Sequence, residues 1–177
     1  MPGNKKIFFF LTIACCLGLV AFYDTGCKVS YGFHDRGSIP DSIKTVKINI
    51  IENRARYINP QLSQQLTDKL RQKIVSQTKL VQTNKDDAHW EITAYISDYS
   101  VTTSGISNQQ TATNRLNVSV HVTKFDHLAN TQDEFDVSHG FDFSSNISLS
   151  QAESQLTPDI IRNMTDEIFN HIFSSWK

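Results

Sequence analysis

Cysteine is scarce in a way that decides much. The chain has 177 residues and three cysteines; Cys15 and Cys16 lie inside an apolar run, and only Cys27 follows it. Beyond that run no disulfide framework, Cys-x-x-Cys redox pair or cysteine zinc site can form. Glycine is short as well: there are seven, most at or before Gly37, too few for a phosphate-cradling loop. Gly-x-Ser-x-Gly, the spacing that presents a serine on a nucleophile elbow, does not occur. Six histidines show neither His-x-His nor His-x-x-x-His spacing. A composite of His121 with a carboxylate is the sharpest catalytic reading; surface or hydrogen-bonded histidines are the simpler one. An excess of one charge is also missing. The formal net charge is −1, and residues 27–177 carry 15 basic and 17 acidic side chains. That balance speaks against nucleic acid as a partner, since no basic face studded with aromatic residues emerges. No cofactor is implied. The chemistry reads as a binding or scaffold module and not as an enzyme.

What is present is unevenly placed. Residues 1–26 hold 16 of the 69 apolar residues, leaving 53 in residues 27–177. Serine, threonine, asparagine and glutamine in that second part also number 53. Lys5 and Lys6 precede the apolar run Ile7–Tyr23, as in a secretory signal. Its 17 residues are also the shortest length that spans a bilayer, so a simple anchor is the alternative. Asp24-Thr25-Gly26-Cys27 then resembles the lipobox of bacterial lipoproteins, with Asp24 where an aliphatic residue is usual. The resemblance implies cleavage before Cys27 and acylation of Cys27, whose several chains hold a protein durably at a membrane. The expected organisation is a lipoprotein signal peptide over 1–26, a lipidated tether over 27–43 and one α+β domain over 44–177.

Within that domain, Thr45–Ile51 alternates Val46, Ile48 and Ile50 with polar residues and predicts a half-buried strand. Asn59-Pro60 predicts a helix start, and Leu62, Leu66, Leu70 and Ile74 carry one apolar stripe to about Gln77. Alternation over Trp90–Tyr99, Asn114–Phe125 and Glu134–Phe143 predicts three more strands, and their spacing suits an antiparallel meander. The polar stretch Val101–Thr113 reads as a loop. Ser150 and Glu153 have capping-box spacing, and Pro158 predicts a kink or restart in a last helix running to Trp176. The order β-α-β-β-β-α gives a two-layer α+β sandwich: a four-stranded sheet with two helices on one face.

Several short matches now fall in register. They are Cys27-Lys-Val-Ser-Tyr-Gly-Phe33, Ser38-Ile-Pro40, Asn53-Arg54-Ala55, Asn59-Pro-Gln-Leu-Ser-Gln64, Asn114-Arg115-Leu116 and Ile168-Phe169-Asn170. Together they resemble the LptE family of outer-membrane lipoproteins, in its branch with a short Ser-Tyr-x-Phe tether. The resemblance implies a plug within an LptD-like β-barrel, a part in placing lipopolysaccharide in the outer leaflet, and outer-membrane anchoring through acyl chains on Cys27. A barrel lumen is polar, and a coat of neutral polar residues suits it. The Val101–Thr113 loop would reach into the lumen. Lipopolysaccharide phosphates favour basic partners, which makes Lys47, Arg54, Arg56 and Arg115, with Lys44, candidate lipopolysaccharide or barrel contacts. Two readings from other classes stand beside this one. An envelope adaptor lipoprotein for a periplasmic synthase or ABC export system would leave surface lipopolysaccharide intact on depletion. A small envelope hydrolase would lose turnover with His121→Ala or His139→Ala.

Overall fold

The computed structural model describes residues 39–107 and 110–173. The signal-like segment, Cys27 and the tether before Ile39 lie outside the described residues, as does Trp176 at the expected end of the last helix. Asp35–Lys177 is one compact unit. Its elements are β1 (Thr45–Ile48), β2 (Glu52–Asn53), α1 (Pro60–Gln77), β3 (Val81–Gln82), β4 (Trp90–Ser107), β5 (Gln110–Asp126), β6 (Thr131–Ser144) and α2 (Leu149–Phe173).

The α+β class and the two helices are as expected, but the sheet is mixed and has six strands instead of four. Its order is β3-β1-β4-β5-β6, with β2 beside β4. β1 runs parallel to β3 and β4, and β2 parallel to β4, whereas β4, β5 and β6 form the antiparallel meander. β2 and β3 contain two residues each, too few for any alternation to register.

The first strand is where the expected phase fails. Ile50 is 57% exposed, while Ile51 is 1% exposed and lies in the core. Ile48 pairs with Ile92 and Glu52 with Tyr95, so four residues of one strand span three of the other: a bulge. Side chains of α1 hold it. Thr67 Oγ1 accepts from the Ile51 N–H at 3.0 Å and donates to the Ser63 carbonyl at 2.7 Å. Ser63 Oγ donates to the Ile51 carbonyl, and Arg71 Nη2 donates to the Ile48 carbonyl at 2.8 Å. The backbone groups that the bulge takes from the ladder are thus paired with a helix.

α1 begins as expected. Asn59 Oδ1 accepts from the N–H groups of Gln61 and Leu62, Pro60 opens the helix, and Leu62, Leu66, Leu70 and Ile74 are buried. Each such side chain taken from water stabilises the domain by roughly 1.5–3 kcal/mol. α2 begins two residues before the expected box. Ser148 Oγ accepts from Gln151 N–H at 3.3 Å, and Gln151 Oε1 accepts from Ser148 N–H at 3.2 Å. That reciprocal pair is the capping box, which leaves Glu153 free for other partners. Pro158 neither ends nor restarts the helix, which is continuous over 25 residues. The missing donor sits within a helix held by Ala152, Ile160, Met164, Ile168 and Ile172, all buried. These residues join α1 and the inward strand side chains Val46, Ile92, Ile96, Leu116, Val118, Val120, Val122, Val137 and Phe141 in one core.

The expected loop Val101–Thr113 is mostly strand. β4 continues to Ser107, and β5 resumes at Gln110, with Thr102 opposite Arg115 and Ser107 opposite Gln110. Threonine favours strands, and cross-strand backbone pairing carries the remaining polar residues. Val101, Thr102 and Thr103 are exposed, and the sequence of the arm carries no hydrophobic alternation.

Candidate functional site

The face of the sheet turned away from the helices is a continuous polar surface built by cross-strand register. β1 supplies Lys47 and Asn49. Lys47 Nζ lies 2.7 Å from Asp86 and 3.3 Å from Glu91; Asn49 donates to Glu91 at 2.8 Å and Thr93 at 2.9 Å. Hydrogen bonds that Lys47 donates to Asp86 and then to Glu91 hold its ammonium above its ordinary pKa. The Asn49 bond, with help from Lys47 and His127, outweighs burial and lowers Glu91; Lys47 likewise lowers Asp86. In the middle, Arg54 ion-pairs with Glu52 at 2.8 Å and lies 4.4 Å from the centre of the Tyr95 ring. Tyr95 in turn meets His121 at 5.1 Å.

Further along, Thr102 pairs with Asn117 at 3.1 Å and Ser119 with Ser138 at 2.8 Å. Arg115 forks onto both oxygens of Asp142 at 2.7 and 2.8 Å, and those bonds raise the guanidinium pKa. Gly140 permits that geometry, because a Cβ there would lie 2.7 Å from Arg115 Cδ. Apart from the Tyr95 and Phe125 rings, the face therefore consists mainly of short polar side chains and paired charges. It can lie against another polar surface without burying an unpaired ion.

The four basic candidates separate here. Lys47, Arg54 and Arg115 are engaged in ion pairs on this face. Arg56, exposed just beyond β2, forms no ion pair among the described residues. Lys44 is exposed at the start of β1, where its N–H donates to His89 Nδ1 at 3.0 Å. The register also brings His121 to the carboxylates of the composite reading, Asp136 at 2.9 Å and Glu134 at 3.9 Å. Among the described residues no hydroxyl hydrogen-bonds that imidazole. The His139 ring lies tilted against Phe141 at 4.7 Å and 4.0 Å from Glu167. Among the described residues, no group of three or more histidine, cysteine, aspartate or glutamate side chains is placed to hold a metal ion.

A second polar cluster, invisible in the linear sequence, ties both helix starts to β4. Glu153 accepts from Tyr99 Oη at 2.8 Å, from Asn59 Nδ2 at 3.2 Å and from Tyr57 Oη at 3.4 Å. Tyr57 stacks on Tyr99 at 5.6 Å. Burial first, then the Glu153 carboxylate, pushes the Tyr99 phenol well above its ordinary pKa, so it stays a donor. The shift in capping box that frees Glu153 was the missing signal.

In fold, the chain is similar to a protein from Xanthomonas campestris assigned to a domain family of unknown function, with TM-score 0.52 and 6% identity over 74% of this chain and 83% of that one. It is also similar to rare lipoprotein B from Shewanella oneidensis, with TM-score 0.42 and 15% identity over 75% and 92% of the two chains. By sequence alone no curated protein matches. A family model does: residues 43–172 match LptE, described as lipopolysaccharide-assembly.

Proposed function

Because the chain belongs to the LptE lipopolysaccharide-assembly family, we propose that it is the lipid-anchored partner of an LptD-type outer-membrane barrel and helps to insert lipopolysaccharide into the outer leaflet. One observation carries the reading. The family match runs from before β1 to the last turn of α2, so the whole folded unit, and not a fragment, is of this kind. The polar sheet face supports it. A surface whose charges are paired within the chain fits against the wet inner wall of a barrel at low desolvation cost. Acyl chains on Cys27 would keep the domain beside its barrel at the inner leaflet. Arg56 is the basic candidate best placed for a lipopolysaccharide phosphate, because no existing ion pair must first break; Lys47, Arg54 and Arg115 would have to exchange carboxylate partners.

Depletion of the protein tests this reading. Surface lipopolysaccharide should fall, and the barrel should accumulate in an immature form. Pull-down with mass spectrometry should recover a β-barrel. Altered peptidoglycan or efflux with intact surface lipopolysaccharide would instead select the adaptor reading.

A further inference from the structure

At the upper half of β4 a backbone edge left unpaired among the described residues lies beside exposed apolar surface on Val101, Tyr57 and Ile58. β2 pairs with β4 only at Tyr95 and Ile96, and the last backbone bond there runs from Arg54 N–H to the Ile96 carbonyl at 3.0 Å. Past that point, among the described residues, no strand pairs with this edge. The phase of the ladder shows which groups are free. The Ile96 carbonyl faces β2, so Ile96 and Val120 form a non-hydrogen-bonded pair of the β4–β5 ladder. Ser97 is the extra residue of a bulge, and alternation resumes at Asp98 opposite Ser119. Tyr99 opposite Val118, Val101 opposite Leu116 and Thr103 opposite Asn114 are then non-hydrogen-bonded pairs. Their N–H and C=O groups point to the open edge, and their side chains lie on the helix face.

On that same face Val101 is 41% exposed, Tyr57, stacked on Tyr99, is 46% exposed, and the adjoining Ile58 is 62% exposed. Ile58 precedes the Asn59 cap, but Ser63 occupies the position where an apolar staple partner would sit, so helix capping does not account for it. Edge strands are ordinarily guarded by lysine, proline or inward charge. β6 carries Asp133, Glu134, Asp136 and Asp142. Between its bulges β4 has only Asp98.

We propose that the Tyr99–Thr103 edge of β4 is a strand-addition site for an extended segment of a partner chain, in which apolar residues alternate with neutral polar ones. The apolar residues lie beside Val101, Tyr57 and Ile58, and the polar ones beside Ser100 and Thr102; edge hydrogen bonds give affinity and the alternation gives specificity. A second copy fits badly. Antiparallel pairing about Val101 would set Ile106 and Ser107 of one copy where β2 of the other already pairs with Ile96 and Tyr95. A free segment of about five or six residues meets no such obstacle. This recognition chemistry is independent of the barrel reading.

The test is amide hydrogen exchange on the full chain, with and without a seven-residue peptide alternating valine and threonine and bearing a lysine at each end. The amides of Tyr99, Val101 and Thr103 should exchange freely alone and slow by about tenfold or more with peptide. Val101→Pro removes one edge donor without touching a β4–β5 bond and should abolish the protection; Val101→Lys, which keeps the donor, should weaken it by placing charge on the apolar side. Protection confined to β6, no protection, or equal protection in both variants would overturn the proposal. So would a stable dimer in sedimentation whose edge amides are protected without peptide.

Discussion

Single side chains in this domain act by capturing backbone groups that the sheet gives up. Thr67 is the clearest: fully buried, it both accepts from Ile51 and donates to Ser63. Thr67→Val keeps the volume but leaves the Ile51 N–H without its acceptor, and should cost about 1–3 kcal/mol in urea unfolding. Asp126 works the same way in the β5–β6 turn. Burial alone would raise its pKa, but the Ala129 N–H, the Trp90 indole, the Leu128 N–H and the Lys124 charge together lower it. Asn130, at φ 51°, completes that turn in a conformation asparagine tolerates. Asp86 and Glu91 are lowered as well. Lowered carboxylates contribute stability in full above their unfolded pKa of about 4 and lose it as pH falls through the folded values. The urea midpoint should therefore decline below about pH 4. Asp126→Asn should make that decline shallower. Gly140→Ala must push Arg115 off its path, so the Arg115 Nε–H resonance should lose its Asp142-bonded signature while the fold persists.

At the level of elements, caps and breakers carry opposite consequences for the two helices. Asn59 caps α1 and also donates to Glu153, so Asn59→Ala should lower stability by about 1 kcal/mol or somewhat more. Pro158 lies inside α2 and cannot donate to the Ser154 carbonyl; Pro158→Ala should raise the melting temperature, with a gain approaching about 3 kcal/mol if the helix is otherwise unchanged. The helix runs through this defect because its inward face is buried on both sides of it. The long β4–β5 arm shows the converse. Its sequence shows no hydrophobic alternation, yet the backbone ladder continues from Thr102 opposite Arg115 to Ser107 opposite Gln110.

Across the whole molecule, one core joins both helices to one sheet face while the other face stays polar and internally paired. Leu70→Ala, at 0% exposure in that core, should destabilise the domain by about 2–5 kcal/mol in urea unfolding, the spread depending on how far the site collapses. The sequence by itself determined the α+β class, the α1 stripe from Leu62 to Ile74, the alternation of the central strands and the family. The class, the stripe and the alternation rest on period and local chemistry, which neighbours in the chain report directly; the family rests on the resemblance of short motifs in register. Only tertiary structure decided the rest. The bulge that turns Ile51 inward depends on Thr67 and Ser63 of α1, the two-residue strands exist only through their partners, and the pairings of Arg115 with Asp142 and His121 with Asp136 come from register. So does the β4 edge left unpaired among the described residues, because it is defined by where β2 stops. Contacts between residues distant in the chain leave no periodic trace along it.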